Sequence, residues 1–176
     1  SIIHDVALQR LPVVLCLDRG GIVGEDGATH HGAFDLAYLS CIPNMIVAAP
    51  SDELELRNLM YTALKAGTPF AIRYPRGAGR GVEWRNADFK ELPIGKGRVL
   101  CEGEDVAILA IGKTCAFALE AAQRAEAVGV SVAVYDLRYA KPLDCEMIKS
   151  VGSRFSRIIT VEDGVLRGGV GQAVTK

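Results

Sequence analysis

Short unbroken apolar runs alternate along this chain with longer stretches whose apolar residues recur every three or four positions. Val13-Val-Leu-Cys-Leu17, Met45-Ile-Val-Ala-Ala49 and Phe70-Ala-Ile-Arg-Tyr74 have the length and continuity of strands buried on both faces. Between the second and third runs, Leu54, Leu56, Leu59, Met60 and Leu64 form a helical stripe of about 15 residues. Ser51 and Asp52 can cap its start and Gly67 can stop it. Strand, helix, strand in that order predicts a parallel crossover with helices covering the sheet.

The pattern changes character near residue 77. Gly77-Ala-Gly-Arg-Gly81 is glycine-rich and Glu83 to Lys90 is mostly polar, which predicts a linker ending near residue 93. Gly95-Lys-Gly-Arg-Val-Leu100 followed by Gly103 suggests a hairpin entering a new unit. That unit continues with a strand at Val106–Ile111, a helix capped by Thr114 and ended by Gly129, and a strand at Val130–Asp136. A short helix capped by Asp144, a strand at Arg157–Glu162 and a helix start at Gly168-Gly-Val-Gly171 complete it. Both units read as α/β. There is no internal repeat and no low-complexity segment.

Composition narrows the function classes. Twenty Lys and Arg oppose 21 Asp and Glu, a formal net charge of −1, which argues against a whole-chain nucleic-acid binder. No apolar run reaches the roughly 18–20 residues needed to cross a bilayer. The start, Ser1-Ile-Ile-His-Asp5, shows no secretory signal and no initiator Met, and the end falls inside an unfinished pattern. A piece of a longer protein is the expectation. The five cysteines lack C-x-x-C spacing, so neither a zinc site nor a redox pair is supported, and buried reduced thiols in a cytoplasmic protein are expected.

The densest polar cluster is Asp18-Arg-Gly-Gly-Ile-Val-Gly-Glu-Asp-Gly-Ala-Thr-His-His-Gly32. It follows a buried strand, where open α/β sheets place their ligand crevices. Its glycines allow close backbone approach, and it holds two histidines, the residue type most used as a general acid or base. Arg73 and Arg76 flank Tyr74-Pro75 at the end of the third strand, and Arg19 has the matching place after the first. Guanidinium forks at one sheet edge suit a phosphate or carboxylate, although an interdomain ion pair is an equal reading of such arginines. Gly168–Gly171 is a weaker candidate for an anion, set against tight backbone packing. Tyr135–Arg138 and Lys141–Asp144 read as a strand exit and a helix cap. His4 reads as a structural or exposed side chain.

The cluster extended to Asp35 resembles the equivalent loop of 1-deoxy-D-xylulose-5-phosphate synthases. Ile42-Pro-Asn-Met45, Pro50-Ser-Asp-Glu53, Arg73-Tyr-Pro-Arg-Gly77, Leu92-Pro-Ile-Gly-Lys-Gly97, Lys141-Pro-Leu-Asp144 and Gly168-Gly-Val-Gly171 continue the resemblance in order. Transketolases share only the Asp-Gly-x-Thr-His core of the first motif. The resemblance implies an α/β three-layer sandwich. Residues 1–80 would be part of a thiamine-diphosphate pyrimidine-binding domain and 81–93 a linker. Residues 94–176 would form a transketolase C-terminal-like domain with a mostly parallel sheet.

It also implies a reaction: condensation of pyruvate with glyceraldehyde 3-phosphate, with loss of CO2, in isoprenoid and thiamine precursor synthesis. His30 and Asp26 would be catalytic, His30 facing the cofactor's reactive carbon and Asp26 orienting the substrate. Arg19 and Arg76 would bind the acceptor phosphate, while His31 has no implied role. Thiamine diphosphate and Mg2+ are implied for the intact, cytoplasmic homodimer. Their motifs would lie outside residues 1–176, leaving no cofactor or metal ligands here and an inactive fragment. Neither nucleic acid nor membrane is an implied partner. The alternatives are a transketolase relative, a 2-oxoacid dehydrogenase β-subunit relative, or a non-catalytic dimerisation or regulatory module.

Overall fold

The computed structural model describes residues 1–176. Two four-stranded sheets form, each mostly parallel with one antiparallel edge strand. The first contains β1 (Val14–Leu17), β2 (Ile46–Ala48) and β3 (Phe70–Arg73), with β3 between the other two and parallel to both. These strands coincide with the three apolar runs, and every residue of β3 is buried. A short helix, α1 (Asp35–Ser40), follows the polar cluster. The crossover helix α2 (Glu53–Lys65) joins β2 to β3 as its stripe predicts, and Asp52 caps it by accepting from the Glu55 amide at 2.8 Å.

The second sheet has the order β4 (Arg98–Cys101), β6 (Val132–Asp136), β5 (Val106–Ala110), β8 (Ile158–Val161). The expected hairpin is not there. β4 runs antiparallel to β6, not to the β5 strand that follows it, so the Gly103 turn leads into a non-local pairing. Helix α3 (Thr114–Glu126) links β5 to β6, and α4 (Cys145–Arg154) precedes β8. Thr114 is not the cap of α3, which begins from Lys113. The Thr114 hydroxyl instead donates to the carbonyls of Ile111 and Val161, tying the helix start to β5 and β8.

Asp144 does cap α4, accepting from the Met147 amide and also from the Gly97 amide, both at 3.1 Å. Burial by itself would raise its carboxyl pKa. The two amides and Lys96 outweigh that and hold it below the usual range. Helix α5 (Val170–Val174) closes the chain.

The two sheets share one apolar core. Val47, Ala49 and Ala71 of the first half pack in a single cluster with Leu109, Ile111 and Tyr135 of the second. Between the segments read as a strand exit and a helix cap, Tyr139–Lys141 forms a further strand, β7, which pairs antiparallel with β2 as an edge of the first sheet. The second half thus completes the sheet of the first. Lys141 adds to this junction by donating to the Ser40 and Ile42 carbonyls.

Polar residues reinforce it. The buried carboxylate of Glu55 pairs with Arg138 at 2.8 Å and with Arg98 at 3.1 Å. Asp136, fully buried, accepts from Ser51 and faces Arg98. Burial pushes the Asp136 carboxyl pKa up against the pull of Arg98.

The polar stretch 81–93 is strapped along α2 rather than free. Arg57 donates to the carbonyls of Trp84, Ala87 and Asp88 and lies 4.3 Å over the Phe89 ring. The cysteines depart from expectation. All five are free, but only Cys115 is fully buried, and Cys16, Cys41 and Cys145 are exposed. Cys16 lies in the least covered strand of the first sheet, an edge, and is the one exposed residue of that strand. No helix is long and apolar enough to cross a membrane.

Candidate active site

Strands β1 and β3 end side by side, with Leu17 opposite Arg73, so the segments that follow them emerge at the same sheet edge. The polar cluster leaves β1 as a loop whose mouth is closed by backbone bonds. Gly21 and Gly32 exchange both amide bonds at 3.0 Å, and the Gly20 amide donates to the Tyr74 carbonyl at 2.9 Å. Arg19 has a φ of 60°, a left-handed conformation unusual for a side-chain-bearing residue, which turns the chain sharply out of the strand.

Inside the loop, Ala28–His30 makes one 3-10 turn. His31, left without a role by its sequence, has a structural one. Its Nδ1 accepts from the Val23 amide at 3.1 Å, which leaves the ring proton on Nε2 and ties the two limbs of the loop together.

Arg19 and Arg76 come together at one sheet edge, as their strand-end positions predict, and Asp26 lies between them. Asp26 accepts from Arg19 Nε at 2.8 Å through one carboxylate oxygen and from Arg76 through the other. Arg19 also holds Asp18 at 2.7 Å, and Glu25 lies 3.7 Å from Arg76. The group is open to solvent, with the Arg19 and Arg76 side chains 35% and 42% exposed. Arg19 Nη2 and most of the Arg76 fork carry no partner at hydrogen-bond distance, so N–H groups remain for an incoming anion.

Arg76 and Arg19 hold the Asp26 carboxyl below its usual pKa. A depressed carboxylate pKa means that the pairing is complete above the ordinary carboxylate range and is lost as pH falls through the lowered value. A carbon-detected NMR titration of Asp26 should therefore show a midpoint below 3.8. A midpoint at or above that value would contradict the paired arrangement.

His30 is exposed, and its Nδ1 lies 2.9 Å from its neighbour Thr29 Oγ1. It is on the same loop as Asp26 but makes no hydrogen bond to Arg19, Asp26 or Arg76. Beyond Arg76 a cleft of about 520 Å3 opens between the loop after β3 and the starts of α2 and α3, lined by Ser51, Tyr74, Arg76, Arg80, Lys113 and Phe117.

Arg73 behaves differently from Arg76. Its side chain is 2% exposed and pairs with Asp35 at 2.9 Å and with Asp163 of the second half. Of the two readings of these arginines, the ion pair holds for Arg73. Sequence reasoning missed Asp163, which binds Arg73 here, and Lys113, which lies 3.2 Å from Asp163 Oδ2. At Gly168–Gly171 two amides are already taken, Gly168 donating to Gln172 Oε1 at 2.6 Å and Gly171 to Glu162 Oε1 at 2.9 Å. A Cβ on Gly169 would stand 2.1 Å from the Val165 carbonyl oxygen, which supports the packing reading. His4 is exposed and bonded to Asp5.

Comparison with known proteins assigns both halves. Residues 1–81 match the family model for the transketolase pyrimidine binding domain, and residues 95–176 match that for the transketolase C-terminal domain. The chain belongs to the transketolase family. Within it, the chain is 56% identical over 176 residues to the 1-deoxy-D-xylulose-5-phosphate synthase of Bacteroides fragilis. It is 51% identical over 174 residues to that of Aquifex aeolicus. In both cases the match covers 99% of this chain and 27% of the relative, so the chain spans about a quarter of the length of these relatives.

Among solved structures, a split-gene transketolase described as an inactive β4 tetramer superposes with a TM-score of 0.86 at 33% identity. That match covers 99% of this chain and 56% of the other. A Pichia stipitis transketolase mutant superposes with a TM-score of 0.70 at 24% identity, which bears on the fold alone.

Proposed function

We propose that this chain forms the acceptor side of the active site of a 1-deoxy-D-xylulose-5-phosphate synthase. The whole enzyme would join pyruvate to glyceraldehyde 3-phosphate, releasing CO2 and forming 1-deoxyxylulose 5-phosphate. The observation that carries the reading is the convergence of Arg19 and Arg76 on one carboxylate at the shared end of β1 and β3. Two guanidiniums gathered around an anion, with unused N–H groups facing solvent, suit a phosphate dianion.

In this reading the acceptor's phosphate binds the outward N–H groups of Arg19 and Arg76. Asp26, ionised at neutral pH, accepts from an acceptor hydroxyl and fixes the direction of the chain. The imidazole of His30, free of the ion pairs and open to solvent, exchanges a proton with the acceptor's carbonyl oxygen as the new carbon–carbon bond forms.

Thiamine diphosphate and Mg2+ belong to this reading of the whole enzyme. The residues of this chain do not fit the metal, since no group of three or more His, Cys, Asp or Glu side chains converges as a ligand set. The reading also makes the assembled enzyme a cytoplasmic homodimer that works on small molecules.

A 2-oxoacid dehydrogenase β-subunit relative would pass its acyl group to a lipoyl domain and would need no phosphate clamp, so the arginines discriminate. In the full-length protein, Arg76→Ala should raise KM for glyceraldehyde 3-phosphate on the order of 10–100-fold. KM for pyruvate should stay within about threefold of wild type. Unphosphorylated glyceraldehyde should be used equally well by both proteins. An unchanged KM for the phosphorylated aldehyde would remove the clamp from the account.

A further inference from the structure

The loop that carries Arg19, Asp26 and His30 is held from the second half of the chain, at a place the proposed chemistry does not use. Lys113 stands immediately before α3, and Asp163 stands two residues beyond β8. Asp163 Oδ1 binds Arg73, and its Oδ2 lies 3.2 Å from Lys113 Nζ. The two cations then reach both sides of the loop mouth. Arg73 Nη2 donates to the Gly32 carbonyl at 2.9 Å, and Lys113 Nζ donates to the Gly20 carbonyl at 3.4 Å.

The backbone runs directly against this cluster. A Cβ on Gly20 would stand 2.6 Å from Arg73 Nε, and one on Gly21 would stand 2.3 Å from Asp163 Oδ2 and 2.8 Å from Lys113 Nζ. Residue 19, which is strained into the left-handed region, is the neighbour of the held Gly20.

We infer that Asp163 and Lys113 are positioning residues for the acceptor loop, acting from the C-terminal half through Arg73 and the Gly20 and Gly32 carbonyls. Neither lies among the groups assigned to the substrate. Their effect is to fix where the chain leaves β1 and returns at Gly32, and hence where Arg19 and Asp26 stand relative to Arg76. A small displacement at such a mouth is carried into the clamp, because catalytic and binding geometry tolerates only fractions of an ångström. The bond to substrate chemistry rests on the function proposed above, whereas the mechanical link between Asp163 and the loop does not.

The test uses the full-length protein with Asp163→Asn, Lys113→Met and Lys113→Arg, read by hydrogen exchange and by kinetics. Amides of residues 20–32 should exchange about tenfold faster in Asp163→Asn and Lys113→Met, with Lys113→Arg restored toward wild type. Unchanged exchange in this segment overturns the inference whatever the activity.

KM for glyceraldehyde 3-phosphate should rise about tenfold in the same two variants, with KM for pyruvate nearly constant. A loosened loop with unchanged aldehyde KM also overturns it, since the contacts would then be only structural. Should Asp163→Asn fail to fold, Lys113→Met carries both measurements, because the partly exposed Lys113 leaves the Arg73–Asp163 pair in place. If the wild-type protein makes no deoxyxylulose phosphate, the proposed function fails, and the exchange measurement still decides the positioning role.

Discussion

Arg73→Met is expected to destabilise the protein by about 3–5 kcal/mol, the usual cost of removing one member of a buried ion pair. The Arg73 side chain is 2% exposed, and its loss would strand Asp35, 5% exposed, without its cation. Asp163 would keep only Lys113, and the Gly32 carbonyl would lose one of its two donors, keeping the Gly21 amide. Such carboxylates remain costly even where they take up a proton, since neutral acids in that setting still lack partners. Urea denaturation followed by circular dichroism gives the comparison. Arg73→Lys should be intermediate, because it restores charge without the fork that serves Asp35, Asp163 and Gly32 at once. A loss below about 1 kcal/mol for Arg73→Met would mean that the cluster is more hydrated than its burial indicates.

The second large effect concerns His30. His30→Gln should lower kcat of the full-length protein by about 10²–10⁴-fold, the range for removing a general acid or base. Glutamine keeps a hydrogen-bonding group of similar reach but cannot exchange a proton. KM for both substrates should therefore change little, and the fold should be intact because His30 is exposed and bonds only its neighbour Thr29. His31→Gln is the control. It lacks the Nδ1 that accepts from the Val23 amide, so its effect should appear as a looser loop and a raised aldehyde KM rather than as a lost proton transfer. Steady-state kinetics on the two variants separates the roles. A kcat within about threefold of wild type for His30→Gln would exclude it from the chemistry.

Much of the scaffold is legible in the sequence because its first strands are unbroken apolar runs. β1, β2 and β3 stand where the unbroken apolar runs stand, and Asp52 and Asp144 cap the helices they precede. Local chemistry decides those features. β7 was not legible, since three residues between Arg138 and Pro142 carry no period, and their pairing with β2 is fixed by tertiary packing. β4 misled for a related reason. A glycine beside a short strand signals a hairpin locally, but the strand found its partner in β6, across the intervening β5 and α3.

At the site, the shared strand end placed Arg19 and Arg76 together, because parallel neighbours in a sheet send their following loops to the same edge. The different fates of Arg73 and Arg76 could not be read from residue type. Arg73 is the last residue of a fully buried strand and meets an acid 90 positions away in sequence, whereas Arg76 lies past Pro75 in solvent. His31 likewise looks like His30 in the sequence. Only the fold of the loop sends one imidazole to the Val23 amide and leaves the other open.

The central claim is that the clamp and the His30 loop serve a pyruvate-dependent condensation onto a phosphorylated aldehyde. The most direct measurement supplies the full-length protein with pyruvate, glyceraldehyde 3-phosphate, thiamine diphosphate and Mg2+, and identifies the products by mass and by CO2 release. One CO2 and one 1-deoxyxylulose 5-phosphate should appear for each pyruvate consumed. No pyruvate consumption, with transfer of a ketol unit from a sugar phosphate instead, would contradict it.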